Sequence, residues 1–199
     1  GRCFTFDRRV NEYARGEACV TAHVSTESDA RSGLDISCRL MGSAVRAHGK
    51  SASLTAPNSP AQQELLSVAM TDASISAHEL ACVETHGTGT GLGDPVEVAA
   101  LGAAILRWQT GCNPVRLGAG KANYGHSEPA AGAQGLLKLL SVFRTGVLPP
   151  NAQLRALNPY LVINSTTAAI PVQAMSAHLT VCKTRAPMEG EVQQWGGNG

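Results

Sequence analysis

One stretch limits what this chain can fold into more than any other. It runs Val83-Glu84-Thr85-His86-Gly87-Thr88-Gly89-Thr90-Gly91-Leu92-Gly93-Asp94-Pro95-Val96-Glu97. The apolar run Leu80-Ala81-Cys82-Val83 before it predicts a buried strand. Asp94 as N-cap, Pro95 at the first helical position and Glu97 three residues past the cap predict a helix after it. Strand, glycine-rich loop and helix in succession mark the end of an open α/β sheet where ligands bind. A phosphate cradle is excluded: Leu92 stands where the third glycine of G-x-G-x-x-G belongs, and no G-x-x-x-x-G-K-[ST] occurs. The informative residue is therefore His86. An isolated histidine is ordinarily a capping or core residue, and only its setting raises it to a chemical candidate.

Composition narrows the class. A chain of 199 residues with 43% hydrophobic and 16% charged residues can bury a sizeable core as one globular domain. The net charge of +1 and the lack of a basic stripe argue against nucleic acid. No apolar run approaches the ~18 residues of a membrane span. The N-terminus has neither a signal core nor an initiator Met, so Gly1 is expected to begin a fragment and the protein to be cytoplasmic. Cysteines 3, 19, 38, 82, 112 and 182 show no C-x-x-C pair or zinc spacing, and no H-E-x-x-H or G-x-S-x-G occurs. Reduced thiols and no metal follow, and the sequon Asn164-Ser165-Thr166 is read as chance.

Along the chain, Val20–Ser25 and Arg39–Arg46 predict a pair of strands. Ser59 as cap and Pro60 at the first position predict a helix over Ala61–Thr71. Val98, Leu101, Ile105 and Leu106 form one apolar stripe on a helix over Val96–Arg107. A strand over Val115–Ala119 then leads into Gly120-Lys121-Ala122-Asn123-Tyr124-Gly125-His126-Ser127-Glu128-Pro129-Ala130-Ala131-Gly132. A long apolar helix, Ala130–Arg144, follows and Gly146 ends it. His126, like His86, thus falls just beyond a strand and just before a helix. His23, His48, His78 and His178 match no such position and are read as structural or exposed.

Glu-Thr-His-Gly-Thr-Gly-Thr followed by Leu-Gly-Asp-Pro-Val-Glu closely resembles the first histidine motif of the β-ketoacyl synthases. The Lys121–Gly132 run resembles their second, K-x-N-x-G-H-x-E-x-A-A-G, with Pro129 where Gly or Ala is frequent. Phe6-Asp7-Arg8-Arg9 through Glu17 resembles the F-D-x-x-x-(D/N)-G-(Y/F) segment, although Asn11-Glu12-Tyr13 lacks the usual glycine. Thr55–Pro60, Leu148-Pro149-Pro150-Asn151 and Leu157-Asn158-Pro159 also keep the family's order. The resemblance covers about residues 3–160 and is strongest to type I polyketide synthases. Past Tyr160 only Trp195–Gly199 faintly echoes the closing S-F-G-x-x-G-T-N-A-H turn. The expected division is residues 1–160 as part of a ketosynthase domain and 161–199 as a poorly matched tail.

The resemblance implies an α/β thiolase-like fold of layered α-β-α-β-α type, of which this chain is the C-terminal portion. It implies a decarboxylative Claisen condensation between an acyl thioester and malonyl-acyl carrier protein. His86 and His126 are then the oxyanion donors, with Lys121 as the third catalytic residue. Glu128 holds Lys121, Asn123 holds the loop, and Thr88 and Thr90 contact the pantetheine amides. No cofactor is bound tightly, substrates arriving on the phosphopantetheine of an acyl carrier protein; a homodimer is implied for the whole family. None of the six cysteines has the T-A-C-S-S neighbours of the family's nucleophile, and Cys82 lies inside a predicted strand. The chain alone is therefore expected to be inactive. A fatty-acid ketosynthase, a non-catalytic ketosynthase-like scaffold that binds acyl carrier protein, and a thiolase remain the rivals.

Overall fold

Three short parallel strands carry the architecture, joined side by side in the order β1 (Cys82–Glu84), β2 (Val115–Gly118) and β4 (Ala168–Ala169). The computed structural model describes residues 1–26, 38–47, 49, 57–109, 114–172 and 177–178. Helix α1 (Ser59–Asp72) precedes β1, α2 (Gly93–Ala104) connects β1 to β2, and the one-turn α3 (Lys121–Tyr124) and α4 (Ala131–Thr145) lie between β2 and β4. A two-residue strand β3 (Val147–Leu148) pairs antiparallel with β5 (Ala177–His178).

The two-residue period of a strand sends successive side chains to opposite faces. Val83, Val115 and Leu117 face one way, into a cluster with Leu101, Ile105 and Leu106, against which Leu66 and Met70 of α1 also pack. Glu84 and Gly118 face the other way, toward α4. A Cβ on Gly118 would meet Lys138 Nζ at 2.8 Å, and one on Gly135 would meet Glu84 Cγ at 3.2 Å. Glycines at these two points let strand and helix approach. The sheet therefore lies between α1 and α2 on one face and α4 on the other, a buried parallel sheet between helices.

The predicted stripe Val98, Leu101, Ile105 and Leu106 is buried throughout. Gly146 ends α4 in the left-handed conformation, φ 68°, where glycine is favoured. Three expectations are corrected. Residues 20–26 and 38–47 form no strands: Val24, Leu40 and Val45 stand 77–96% exposed, and 38–47 lies against the end of α1, where Ser43 N donates to Asp72 at 2.8 Å, with no strand beside it among the described residues. Helix α1 is capped by Asn58, whose Oδ1 accepts from Ala61 N at 3.1 Å, and not by Ser59, which is its first residue. Helix α2 begins at Gly93, so Asp94 lies inside its first turn, where Phe6 N and Gly89 N donate to its buried carboxylate at 2.9 and 3.0 Å. His48, Thr55, Ala56, Cys112, Cys182 and Trp195–Gly199 lie outside the described residues.

Beyond Tyr160 the chain packs back. Leu161 joins Phe6, Val98, Ala119 and Leu154 in a second cluster, and β4 extends the sheet beyond β2.

Two glycines test this packing with opposite signs. Gly102, within α2 with open space around its Cβ position, should gain about 0.5–1 kcal/mol on substitution by Ala. Gly146→Ala should lose about 1–2 kcal/mol, because the left-handed conformation disfavours a Cβ. Urea denaturation of the two variants measures both.

Candidate functional site

The site lies where β1 and β2 end. The strands pair in parallel with Glu84 opposite Gly118, and Thr85 N donates to Gly118 O at 2.8 Å to extend the ladder. The loops that follow must therefore emerge side by side. His86 leaves β1 and His126 leaves the α3 turn after β2; their ring centroids are 5.5 Å apart with the planes at 87°. His86 is exposed and His126 half-buried, so the pair opens to solvent on one side.

Each histidine is held from behind. Glu97, on α2, accepts from His86 N at 2.6 Å and from Gly87 N at 2.8 Å. It therefore closes no capping box at its own helix but fastens the histidine loop. Gly87 itself is at φ 42°, and a Cβ there would meet Ala119 Cβ at 2.6 Å, so the loop touches the end of β2 only because it has no side chain. His126 Nδ1 accepts from Glu128 N at 3.0 Å. A neutral imidazole whose Nδ1 accepts carries its proton on Nε2. Burial first, and then the charge of Lys121, push the His126 pKa below its ordinary 6.5, so the ring is neutral at neutral pH.

A segment at the start of the chain underlies both loops. Thr5 Oγ1 donates to Gly87 O at 2.6 Å, Asn11 bridges Thr90, and Arg15 bridges His126. His126 N donates to Ala14 O at 2.8 Å and Gly16 N to His126 O at 2.9 Å. Asp7 anchors the segment, accepting from Arg9, Arg155 N and Ala156 N. Burial opposes its ionisation, but the Arg9 guanidinium and these amides prevail and hold the carboxyl well below the usual range.

Lys121 is buried, 7% exposed, at the start of α3. Burial lowers its pKa, opposed first by Glu97 and then by Glu84. The expectation that Glu128 holds Lys121 is corrected: Glu128 closes on Arg15 Nη1 at 2.8 Å and on Tyr13 Oη at 3.3 Å, because its left-handed backbone, φ 51°, directs it toward that segment. Glu84 accepts from Gly120 N at 2.6 Å and from Lys138 Nζ at 2.7 Å, a buried ion pair that fixes the turn leading into Lys121. Asn123 ties the loop to its neighbour, donating to Pro150 O and accepting from Ala152 N. The Thr88 and Thr90 hydroxyls lie 3.2 Å apart, and Thr90 Oγ1 accepts from Gly93 N, so both are engaged within the loop.

Cys82 lies in β1, half-buried, and its thiol pKa is raised by burial and then by Glu84, the opposite of an activated nucleophile. Among the described residues no group of His, Cys, Asp and Glu is arranged to hold a metal ion, and no helix is long and apolar enough to cross a membrane. Glu84, Lys138, Tyr13 and Arg15 were missed as site residues in the sequence. Tyr13 and Arg15 lie far from the histidines along the chain, and although Glu84 is two positions before His86, its partners Gly120 and Lys138 lie 36 and 54 positions away, so no local spacing marks these roles.

Residues 37–155 match the family described as the beta-ketoacyl synthase, C-terminal domain. Highly reducing polyketide synthase 40 of Fusarium mangiferae is 36% identical over 174 residues, 87% of this chain and 7% of the relative. A phenolphthiocerol/phthiocerol polyketide synthase of Mycobacterium tuberculosis is 39% identical over 161 residues, 80% of this chain and 7% of the relative. The chain thus spans about 7% of the length of these curated relatives. Among solved structures, the oxazolomycin ketosynthase domain OzmH KS7 of Streptomyces albus JA3453 superposes with TM-score 0.79 at 29% identity, covering 90% of this chain and 31% of that one. The ketosynthase from module 6 of the Bacillus subtilis 168 bacillaene synthase, at 24% identity, gives the same TM-score, covers 93% of this chain and 32% of that one, and supports the shared fold.

Glu97→Gln tests the loop anchor. An amide oxygen can replace only one of the two acceptors, so a backbone N–H is left unpaired at about 1–3 kcal/mol. The carboxyl also gives a pH signature: burial pushes its pKa up to about 6 from 4.5, so between those values the folded state binds more protons than the unfolded. Its contribution should raise stability as pH falls from about 6 to 4.5, by up to about 2 kcal/mol, and vanish in Glu97→Gln. Denaturation midpoints of both proteins across pH 4.5–7 check it.

Proposed function

Because the chain belongs to the beta-ketoacyl synthase family, in its C-terminal domain, we propose that it carries the decarboxylation half of a ketosynthase site of the thiolase-like fold. The reaction is condensation of an acyl thioester with malonyl carried on an acyl carrier protein. The observation that carries this reading is the pair of imidazoles 5.5 Å apart at the ends of adjacent parallel strands.

Decarboxylation of a malonyl thioester places negative charge on the thioester oxygen. Two neutral N–H donors aimed at that oxygen stabilise it as it forms, and are worth more in a site shielded from water. His126 suits the part because Glu128 N on Nδ1 leaves Nε2–H as the donor, and its lowered pKa keeps the ring neutral. His86 presents the second ring, its main chain fixed by Glu97. Lys121, buried behind the pair, supplies positive charge that disfavours the imidazolium form of His126. The condensing carbanion then attacks an acyl group on a cysteine thioester, and Cys82, half-buried in β1 with a raised pKa, is unsuited to carry it. On this reading substrates arrive on phosphopantetheine with no resident cofactor, and the acyl-bearing cysteine is one other than Cys82. Polyketide-synthase relatives favour the polyketide setting over fatty-acid synthesis.

In a ketosynthase carrying this chain, His86→Ala or His126→Ala should leave acyl loading intact and slow CO2 release by ~10²–10³. Radiolabelled CO2 release, with mass-spectrometric acyl loading alongside, measures each step. Release at the unmodified rate in either variant removes that histidine from the chemistry, and intact binding of acyl carrier protein without any release marks the scaffold reading instead.

Below its ordinary value of 6.5 the His126 ring should hold its neutral form further than a free imidazole. CO2 release should accordingly persist into mildly acidic pH and fall only once the ring protonates, because an imidazolium would disturb the charge balance beside Lys121. The pH profile of release against that of Lys121→Met checks the sign: removing the cation should shift the acidic limb upward.

A further inference from the structure

Glu128 is one of the few described non-glycine residues with a left-handed backbone, φ 51°, a conformation that needs support from its surroundings. That conformation is what turns its N–H onto His126 Nδ1 at 3.0 Å. Its carboxylate is gripped from one side only, by Arg15 Nη1 at 2.8 Å and Tyr13 Oη at 3.3 Å. The same short segment is stitched to His126 by two main-chain hydrogen bonds, His126 N to Ala14 O and Gly16 N to His126 O. The Tyr13 ring lies 5.2 Å from the His126 ring, while His86 lies 5.5 Å away.

We propose that Arg15 and Tyr13 are positioning residues: by gripping Glu128 they keep its N–H on His126 Nδ1 and so fix the Nε2–H tautomer of that ring. The proposal rests on the reading of His126 as a donor only for its catalytic consequence; the tautomer itself can be read without catalysis. Without the grip, Glu128 relaxes toward an ordinary backbone conformation, its N–H leaves Nδ1, and the neutral ring is free to carry its proton on either nitrogen. The charged groups facing His126 are Lys121, Glu128 and Arg15, and Glu128 and Arg15 act on its pKa in opposite directions. Their main effect on the ring is therefore geometric. Arg15 is 75% exposed at its side chain, so its truncation leaves no buried void.

The test is long-range 15N–1H spectroscopy of the imidazoles in the 199-residue chain at a pH where His126 is neutral. The unmodified protein should show a single His126 tautomer with the proton on Nε2. Arg15→Ala and Glu128→Gln should move the two ring nitrogen shifts toward each other, as both tautomers become populated. Tyr13→Phe, which keeps the ring but loses the hydroxyl, should do so in part, and Arg15→Lys should restore the single tautomer. In a ketosynthase carrying the chain, Arg15→Ala should lower CO2 release by about tenfold, less than the ~10²–10³ of removing a donor. A single unchanged tautomer in both Arg15→Ala and Glu128→Gln overturns the proposal. Should the tautomer shift in these variants while His126→Ala releases CO2 normally, the brace stands and the catalytic reading of His126 fails.

Discussion

The parallel pairing of β1 with β2 is the constraint on which the rest depends. Adjacent strands lie ≈ 4.7–4.9 Å apart, and both strands here end at the same level, with Glu84 opposite Gly118. Whatever follows each strand is delivered to one crevice. His86 follows two residues after β1 and His126 after the α3 turn, and their rings meet there at 5.5 Å. An antiparallel pairing of the same two strands would have sent the loops to opposite ends.

Three carboxylates convert this proximity into fixed geometry, and each works through the main chain. Glu97 takes the amides of His86 and Gly87, Asp94 takes those of Phe6 and Gly89, and Glu84 takes that of Gly120. Buried carboxylates are unfavourable unless amply hydrogen-bonded, and these are. The raised pKa values of Glu97 and Asp94 show burial outweighing those bonds. Asp7, with Arg9 beside it, shows the reverse balance. Site rigidity is thus obtained at some expense in local electrostatic stability, which is common where a loop must be held open toward a substrate.

Glu84 adds a link between layers. Its second oxygen meets Lys138 of α4 on the face it shares with that helix, with both side chains 9% exposed. The ion pair ties the turn into Lys121 to the helix that follows His126. Both catalytic candidates of the second motif therefore sit between elements that Glu84 holds in common.

The local sequence determined most of what is regular here. The apolar residues Val98 and Leu101 of α2, Gly146 at the end of α4 and the strands before each histidine were legible, because each depends on residues within a turn or two of itself, whereas α2 stops at Ala104 and not at Arg107. The histidines stood out for the same reason, through contiguous motifs. Long-range partnership was decided only in three dimensions. Asp94 and Glu97 have the spacing of a capping box, yet their carboxylates turn to the histidine loop because the segment at residues 3–16 and the end of β2 bring buried amides within reach. Glu128 pairs with Arg15, 113 positions away (128 − 15), and not with Lys121, seven positions away (128 − 121), since its left-handed backbone and the bridge from Arg15 to His126 set its direction. Residues 20–26 and 38–47 have local strand character but pair with no described strand, and 38–47 instead meets the end of α1, so local character alone made no strand of them. Propensity and motif act over a few residues; hydrogen-bond satisfaction of buried groups acts over the whole fold, and only the fold says which partners are near.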